Sequence, residues 1–414
     1  MILVWSRQVT HASMTVAPAL SFKSRMVAFL RRWNSRLQIG RRTRRVKVPL
    51  PLEAPARVTI FVAAGIGDLV IATSFLKVLY ERRGELDVTL LCNSLTSGFA
   101  RELFPDWEVL TIPYTARGRR MAIWPLHSSM RRFLEDLPQA DLLIDLRGLR
   151  TVQDSVAASW VPARWKIAMK NQYGVSQYRL ADEQSIYDEL IPFSETPLAV
   201  GVCRDIENHR LILKRLIPSD IDPQKALPSL PGWSPSPGQI WDRSQEHERY
   251  LVICPFSGES IKEYPMEDLA DVAGRIAWRH GLIPCILGGP DCIERSRALE
   301  GHLGRFGEYR NLTGRLSLAD SAWVLEHCRA VLAVDTGLAH IAIAYQTPTV
   351  AILGGGHFGH FAPWGDPGST RWLYRELPCY NCHWFCPYPV PKCIHSVLKV
   401  DIEDALEQVL LGCR

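Results

Sequence analysis

The chain has 414 residues, too long for one ordinary domain and suited to two of roughly 150–200 residues each. Hydrophobic residues make up 47% of it and charged residues 22%, a globular composition that excludes a disordered or fibrous chain. The formal net charge of +5 is uneven: residues 1–52 carry eleven Lys/Arg and no Asp or Glu, so the other 362 residues set 37 basic groups against 43 acidic ones.

Residues 1–53 therefore read as a basic N-terminal arm, suited to an anionic membrane surface. The competing reading is a solvated tail, or an upstream extension if Met14 or Met26 is the true start. A secretory signal does not fit, because the apolar stretch 14–22 is short, contains Pro18 and is followed by basic groups. Nucleic acid is disfavoured as a partner, since the acidic body offers no extended basic surface. The most apolar stretch of the body, 331–353, is broken by Asp335, His340 and Gln346, so no membrane-spanning helix is expected.

A first domain is expected over 54–230. Residues 57–64 (RVTIFVAA) read as an apolar strand, 65–67 as a tight turn and 68–83 as a helix. A strand at 87–92, a helix at 95–103, a strand at 109–112, a helix at 121–137 and a buried strand at 141–145 (DLLID) follow. Continuous apolar strands separated by single helices imply a parallel sheet covered on both faces. Residues 170–215 show no clear period. Residues 228–238 (PSLPGWSPSPG) hold four prolines and two glycines, which marks a linker over 231–249.

The alternation restarts in a second domain over 250–414. Strands are expected at 250–254, 282–287, 309–312, 330–334 and 349–353, with helices at 265–280, 292–302, 317–327, 336–345 and 401–411. The fold class is α/β: two doubly wound Rossmann-like lobes with a ligand cleft between them. The two halves share an architecture and no sequence repeat.

Several strand ends carry chemistry. Gly65-Ile66-Gly67-Asp68 opens a helix, with Val70 where a dinucleotide fingerprint needs its third small residue. Asp68 stands where a helix N-cap belongs, or presents a carboxylate able to take a proton from a hydroxyl. Asp335-Thr336-Gly337-Leu338-Ala339-His340 runs from a buried strand into a helix, whose exposed N–H groups and positive end favour a phosphate. The competing readings are two capping residues and a packed core histidine. Gly354-Gly355-Gly356, after the next strand, allows the backbone to approach a ligand closely.

Taken in order, Gly65-x-Gly67-Asp68, Lys262-x-x-Pro265, Gly288-Gly289-Pro290-Asp291 and Asp335-Thr336-Gly337-x-x-His340 resemble glycosyltransferase family 9, the ADP-heptose:lipopolysaccharide heptosyltransferases and their relatives. The resemblance spans roughly residues 57–411, dense in the second domain and thin between 150 and 245. It implies a GT-B fold and an inverting sugar transfer that requires no metal. The implied donor is a nucleotide-diphosphate sugar, ADP-heptose above all, and the implied acceptor an anionic glycolipid of the lipopolysaccharide-core type; the competing readings are the same fold with another donor sugar or a protein acceptor, or a non-catalytic sugar-nucleotide-binding module. It also implies a cytoplasmic enzyme, peripheral on the inner face of a bacterial inner membrane.

By resemblance, Asp68 is the catalytic base, and Lys262 meets the donor diphosphate. Asp291 contacts the donor ribose, with Glu294 as the alternative, and Asp335, Thr336, Gly337 and His340 form the phosphate-binding turn. The family usually has Trp where Tyr264 stands. Chemistry supports these roles independently: a departing nucleoside diphosphate needs charge neutralisation, which lysine and backbone N–H groups supply without a metal. The arginines Arg117, Arg119 and Arg120, with Arg131 and Arg132 on the next helix, either form a solvated face or dock the acidic acceptor, and Arg147, beyond the DLLID strand, is the better single candidate.

The chain holds eleven cysteines, an odd number for a secreted disulfide scaffold. Cys92, Cys254 and Cys285 fall in expected strands, where a thiol acts as a small hydrophobe, a usage that fits a reducing compartment. Cys379, Cys382, Cys386 and Cys393 cluster within fifteen residues, a spacing compatible with a structural zinc or iron site, structural thiols or a labile disulfide.

Overall fold

The computed structural model describes residues 56–62, 65–113, 128–171, 183–193, 198–217, 222, 226–230, 233 and 249–412. The described residues divide into two compact units, with those of 205–228 joining those of 56–196 and residues 198–204 joining those from 229 onward.

The first unit is built on β1 (Ala56–Phe61), α1 (Ile66–Tyr80), β2 (Leu86–Cys92), α2 (Ser97–Leu103), β3 (Glu108–Thr111), α3 (Ser128–Glu135), β4 (Ala140–Asp145), α4 (Val152–Trp160), β5 (Ala163–Met169) and β6 (Glu189–Ile191), followed by α5 (Arg204–Leu216). Its six strands are parallel, in the order β3-β2-β1-β4-β5-β6. The second unit contains β7 (Tyr250–Cys254), α6 (Met266–His280), β8 (Ile283–Ile286), α7 (Ile293–Leu303), β9 (Arg310–Asn311), α8 (Leu318–His327), β10 (Ala330–Val334) and α9 (Gly337–Ala344). It continues through β11 (Thr349–Ile352), β12 (Thr370–Leu373), α10 (Lys392–His395) and α11 (Lys399–Leu411). Its order, β12-β11-β10-β7-β8-β9, is the same topology met from the other edge.

Both units are thus doubly wound and Rossmann-like, as the strand–helix rhythm implies. The winding reverses between β1 and β4 in one sheet and between β7 and β10 in the other, and such switch points are where open α/β sheets bind ligands. Burial explains the continuous apolar runs: every residue of β7 and β10 is buried. Leu251, Ile253, Leu332 and Val334 pack with Leu269, Ile276, Ile402 and Leu406 in one core, and each such side chain contributes about 1.5–3 kcal/mol. Helix α6 ends at Gly281 with φ 64°, the left-handed geometry that stops a helix.

Differences from the sequence expectations fall where periodicity is weak. Helix α4 and strand β5 are not among the expected elements, strand β6 and nearly all of helix α5 occupy the region without a clear period, and β12 adds an unexpected edge strand. Of the helix expected at 121–137, residues 128–135 are helical and 121–127 lie outside the described residues. Most of the linker and the whole basic arm also lie outside them. Among the described residues no helix is long and apolar enough to cross a membrane.

Candidate active site

In the second unit, three loops leave the carboxyl ends of adjacent strands β10, β7 and β8. After β7, a single 3-10 turn, Ser260–Lys262, carries Lys262 towards β10. Its Nζ donates to Oδ2 of Asp335 at 2.8 Å, and the lysine side chain keeps 20% of its surface exposed. The other carboxylate oxygen, Oδ1, faces Nε2 of His340 at 3.4 Å. Nδ1 of His340 accepts from Nε1 of Trp364 at 2.8 Å, which places the imidazole proton on Nε2, towards Asp335. Burial alone would raise the Asp335 carboxyl, yet Lys262 and His340 hold it well below the ordinary carboxylate range. The Ser257 hydroxyl donates to the Asp335 carbonyl at 3.0 Å and pins the β7 loop to the end of β10.

Thr336 is the N-cap of α9, and its side chain makes no capping hydrogen bond. Thr336, Gly337 and Leu338 are half-buried. The first N–H groups of α9 are therefore not claimed by a side-chain cap and sit beside an ammonium, the arrangement that suits a phosphate group. His340 is buried and hydrogen-bonded on both ring nitrogens, so its geometry is that of a residue holding Asp335 in place.

Asp291 lies in a short 3-10 turn beyond β8, exposed, with the Cys292 thiol donating to Oδ1 at 3.8 Å. Glu294, one turn further, pairs with Arg297 at 2.9 Å on an exposed face. Two neighbours went unnoticed in the sequence: Glu263 accepts from the Ser257 N–H at 2.9 Å and pairs with Arg295 at the start of α7, tying the β7 and β8 loops together. Tyr264 is core material, buried and donating its hydroxyl to the Val397 carbonyl at 2.9 Å.

The triple glycine has a different role from the expected approach to a ligand. A Cβ at Gly354 or Gly356 would lie 2.6 or 2.3 Å from the Trp384 ring, and one at Gly355 2.2 Å from Tyr380. These glycines admit aromatic rings from the cysteine-rich segment. Cys379, Cys382, Cys386 and Cys393 line one small cavity with Tyr380 and Trp384. Burial and the neighbouring thiols push the Cys382 and Cys393 thiols up, and the Gly355 N–H donates to Cys393 Sγ at 3.4 Å. Among the described residues no three His, Cys, Asp or Glu side chains are placed to hold a metal ion, so the arrangement does not fit the zinc or iron site the spacing suggested. Cys92 and Cys285 are buried as expected, their thiols pushed up to about 12 by desolvation.

In the first unit, Asp68 is not the N-cap of α1. Gly65 holds that position, and Asp68, at the third helical residue, reaches back to accept from the Gly65 N–H at 2.7 Å. A Cβ on residue 65 would sit 3.1 Å from that carboxylate oxygen, a tight contact. Asp68 remains half-exposed at the end of β1.

Arg147 departs from its expected role as an acceptor-docking cation. Its guanidinium donates to both oxygens of Asp145 and to Asp154, each at 2.8 Å, and lies 3.9 Å from the Phe61 ring centroid. Three residues on, Arg150 is completely buried and donates to Glu183 and to the carbonyls of Arg147 and Met169. Tyr187 completes the network through its hydroxyl on Asp145 at 2.6 Å. The only hint in sequence was Thr151-x-x-Asp154, a capping-box spacing. Arg131 pairs with Glu135 at 2.8 Å, whereas Arg117, Arg119 and Arg120 lie outside the described residues.

Residues 227–383 match the profile of Glycosyltransferase family 9 (heptosyltransferase). Lipopolysaccharide heptosyltransferase 1 of Pseudomonas aeruginosa is 34% identical over 133 residues, which are 32% of this chain and 36% of that protein. The chain thus aligns with little more than a third of that relative's length. The fold is shared with E. coli ADP-heptose lps heptosyltransferase II (TM-score 0.58, 13% identity, 86% of this chain and 98% of that one). It is also shared with E. coli heptosyltransferase WaaC with ADP (TM-score 0.54, 20% identity, 84% and 99%). The resemblance to glycosyltransferase family 9 read from the motifs is therefore carried by the second half in sequence and by both units in fold.

Proposed function

We propose that the protein is an inverting glycosyltransferase that moves a sugar, heptose above all, from a nucleotide-diphosphate donor to a lipopolysaccharide-core-type acceptor. The observation that carries this reading is the Lys262–Asp335 pair beside the start of α9, where the N-cap residue Thr336 makes no side-chain capping hydrogen bond. One cation and the helix's positive end face the place where a diphosphate would gather charge as it leaves. The family profile covers this region, and a relative of the same fold was solved with ADP.

In the forward reaction Asp68 takes the proton of the acceptor hydroxyl as the oxygen attacks the anomeric carbon from the face opposite the diphosphate. The bond to the diphosphate oxygen breaks, and Lys262 and the α9 N–H groups hold the departing charge. Asp335 and His340 keep the lysine aimed, and Asp291 meets the donor ribose. Because this charge is supplied by the chain, turnover should persist in excess chelator. The acceptor is an anionic glycolipid, and Arg117, Arg119 and Arg120 are its docking candidates. Arg147 acts on that surface only by holding Asp145 and Asp154.

The basic arm adds a membrane partner and a cytoplasmic, peripheral location at the inner face of the inner membrane. Vesicles with anionic headgroups should retain the full chain better than a chain starting at Pro51, with the difference shrinking as salt rises. Equal retention would remove the arm from this reading. The function itself is tested with purified protein, a lipopolysaccharide-core acceptor and a panel of nucleotide sugars. Transfer from ADP-heptose with inverted anomeric configuration is expected, and transfer only from another donor, or none from any, would overturn the assignment.

A further inference from the structure

The segment from Cys379 to Cys393 reaches the Lys262 site through one ring. The Trp384 side chain lines the cysteine cavity, packs on Gly354 and Gly356, and places its ring centroid 5.3 Å from Nζ of Lys262. That distance lies within the range of a cation–π contact, which is strongest for tryptophan. The backbone is bent to achieve it: Asn381, His383 and Trp384 all have positive φ, at 60°, 52° and 62°. Bulky side chains seldom adopt this conformation, and they persist in it only where the surroundings enforce it. Here the Asn381 N–H donates to the Gly355 carbonyl at 2.7 Å and the His383 N–H to the Gly356 carbonyl at 2.9 Å. Glycines at 354–356 leave the space the rings fill.

We propose that Trp384 is a positioning residue for donor binding, its ring restraining the Lys262 ammonium that Asp335 also holds, so that the cysteine-rich segment forms part of the nucleoside-diphosphate site. This rests on the donor reading of Lys262. Asp335 alone would draw the flexible lysine stem down onto the carboxylate, and an aromatic face near the amine restrains it without adding a second negative charge to repel the diphosphate. The segment's strained backbone and glycine contacts are then the mount for one ring.

The test is a double-mutant cycle read by calorimetric titration with ADP. Trp384→Ala should raise the ADP dissociation constant roughly 3- to 30-fold, and Trp384→Phe should recover most of that. In a Lys262→Ala background, Trp384→Ala should add less than about twofold, because the group it restrains is gone. Should Trp384→Ala fail to fold, Gly356→Ala displaces the ring from beneath and should weaken ADP binding in the same direction. Wild-type affinity in folded Trp384→Ala, or the same loss with and without Lys262, overturns the proposal alone. Wild-type affinity in Lys262→Ala overturns the donor-site reading and the proposal with it.

Discussion

Two switch points of identical topology carry charged pairs and use them differently. At the end of β4, the Arg147 guanidinium is met by two carboxylates and the Phe61 ring, with 8% of the side chain exposed, and Asp145 is met again by Tyr187. At the end of β10, Lys262 is paired with one buried carboxylate, keeps 20% exposure and stands beside a helix start without a side-chain cap. A charge answered on every side holds the fold. One held by a carboxylate and an aromatic ring but left partly open is available to a ligand.

The largest effect that would sharpen this contrast is on stability. Arg147→Ala removes the cation from buried Asp145 and half-buried Asp154 and should cost the first unit about 3–5 kcal/mol in denaturant unfolding. Its affinity for a nucleoside diphosphate should stay at the wild-type value. A folded Arg147→Ala protein of normal stability but poor acceptor KM would return Arg147 to the acceptor site.

Asp68 is the half-open group of the first unit, so it should behave like Lys262 rather than Arg147. Asp68→Asn keeps an oxygen able to accept from the Gly65 N–H, so stability and donor affinity should persist. Turnover should fall at least about a hundredfold if the carboxylate is the base. Near-normal kcat in the folded variant would leave Asp68 as a helix-capping residue only.

A smaller effect concerns pH. His209, on α5, is buried beside Ser74 Oγ at 2.7 Å, and desolvation lowers its imidazole from 6.5 to about 4. The unfolded chain binds this proton first, so stability is intact above about pH 6.5 and declines as pH falls towards 4. Between pH 7 and 5 the loss from this group is about 2 kcal/mol. His209→Gln should flatten that part of the urea-midpoint profile, and an unchanged slope would assign the acid sensitivity elsewhere.

The sheets were legible because central strands such as YLVIC and AVLAV are buried on both faces and carry no polar alternation. Strand β12, half-buried at an edge, and the three-residue β6 carry too little pattern to stand out. In the site, Asp335 and Thr336 could be picked out because they sit where a buried strand runs into a helix, and Lys262 only through the order of motifs that carries the family resemblance. The closure of Arg147 could not, since it depends on Asp154, Tyr187 and Phe61 arriving from separate elements. The triple glycine looked like room for a ligand because sequence records that space is needed and not what fills it. Trp384 and Tyr380 fill it from some thirty residues downstream.

The central claim is that the open pair at the end of β10 binds the donor diphosphate. Calorimetric titration of ADP into wild-type protein and Lys262→Ala tests it most directly. The account expects the variant to stay folded and to lose about 1.5–3 kcal/mol of binding free energy, the range for a hydrogen bond to a charged group. An affinity equal to wild type in a folded Lys262→Ala protein would contradict it.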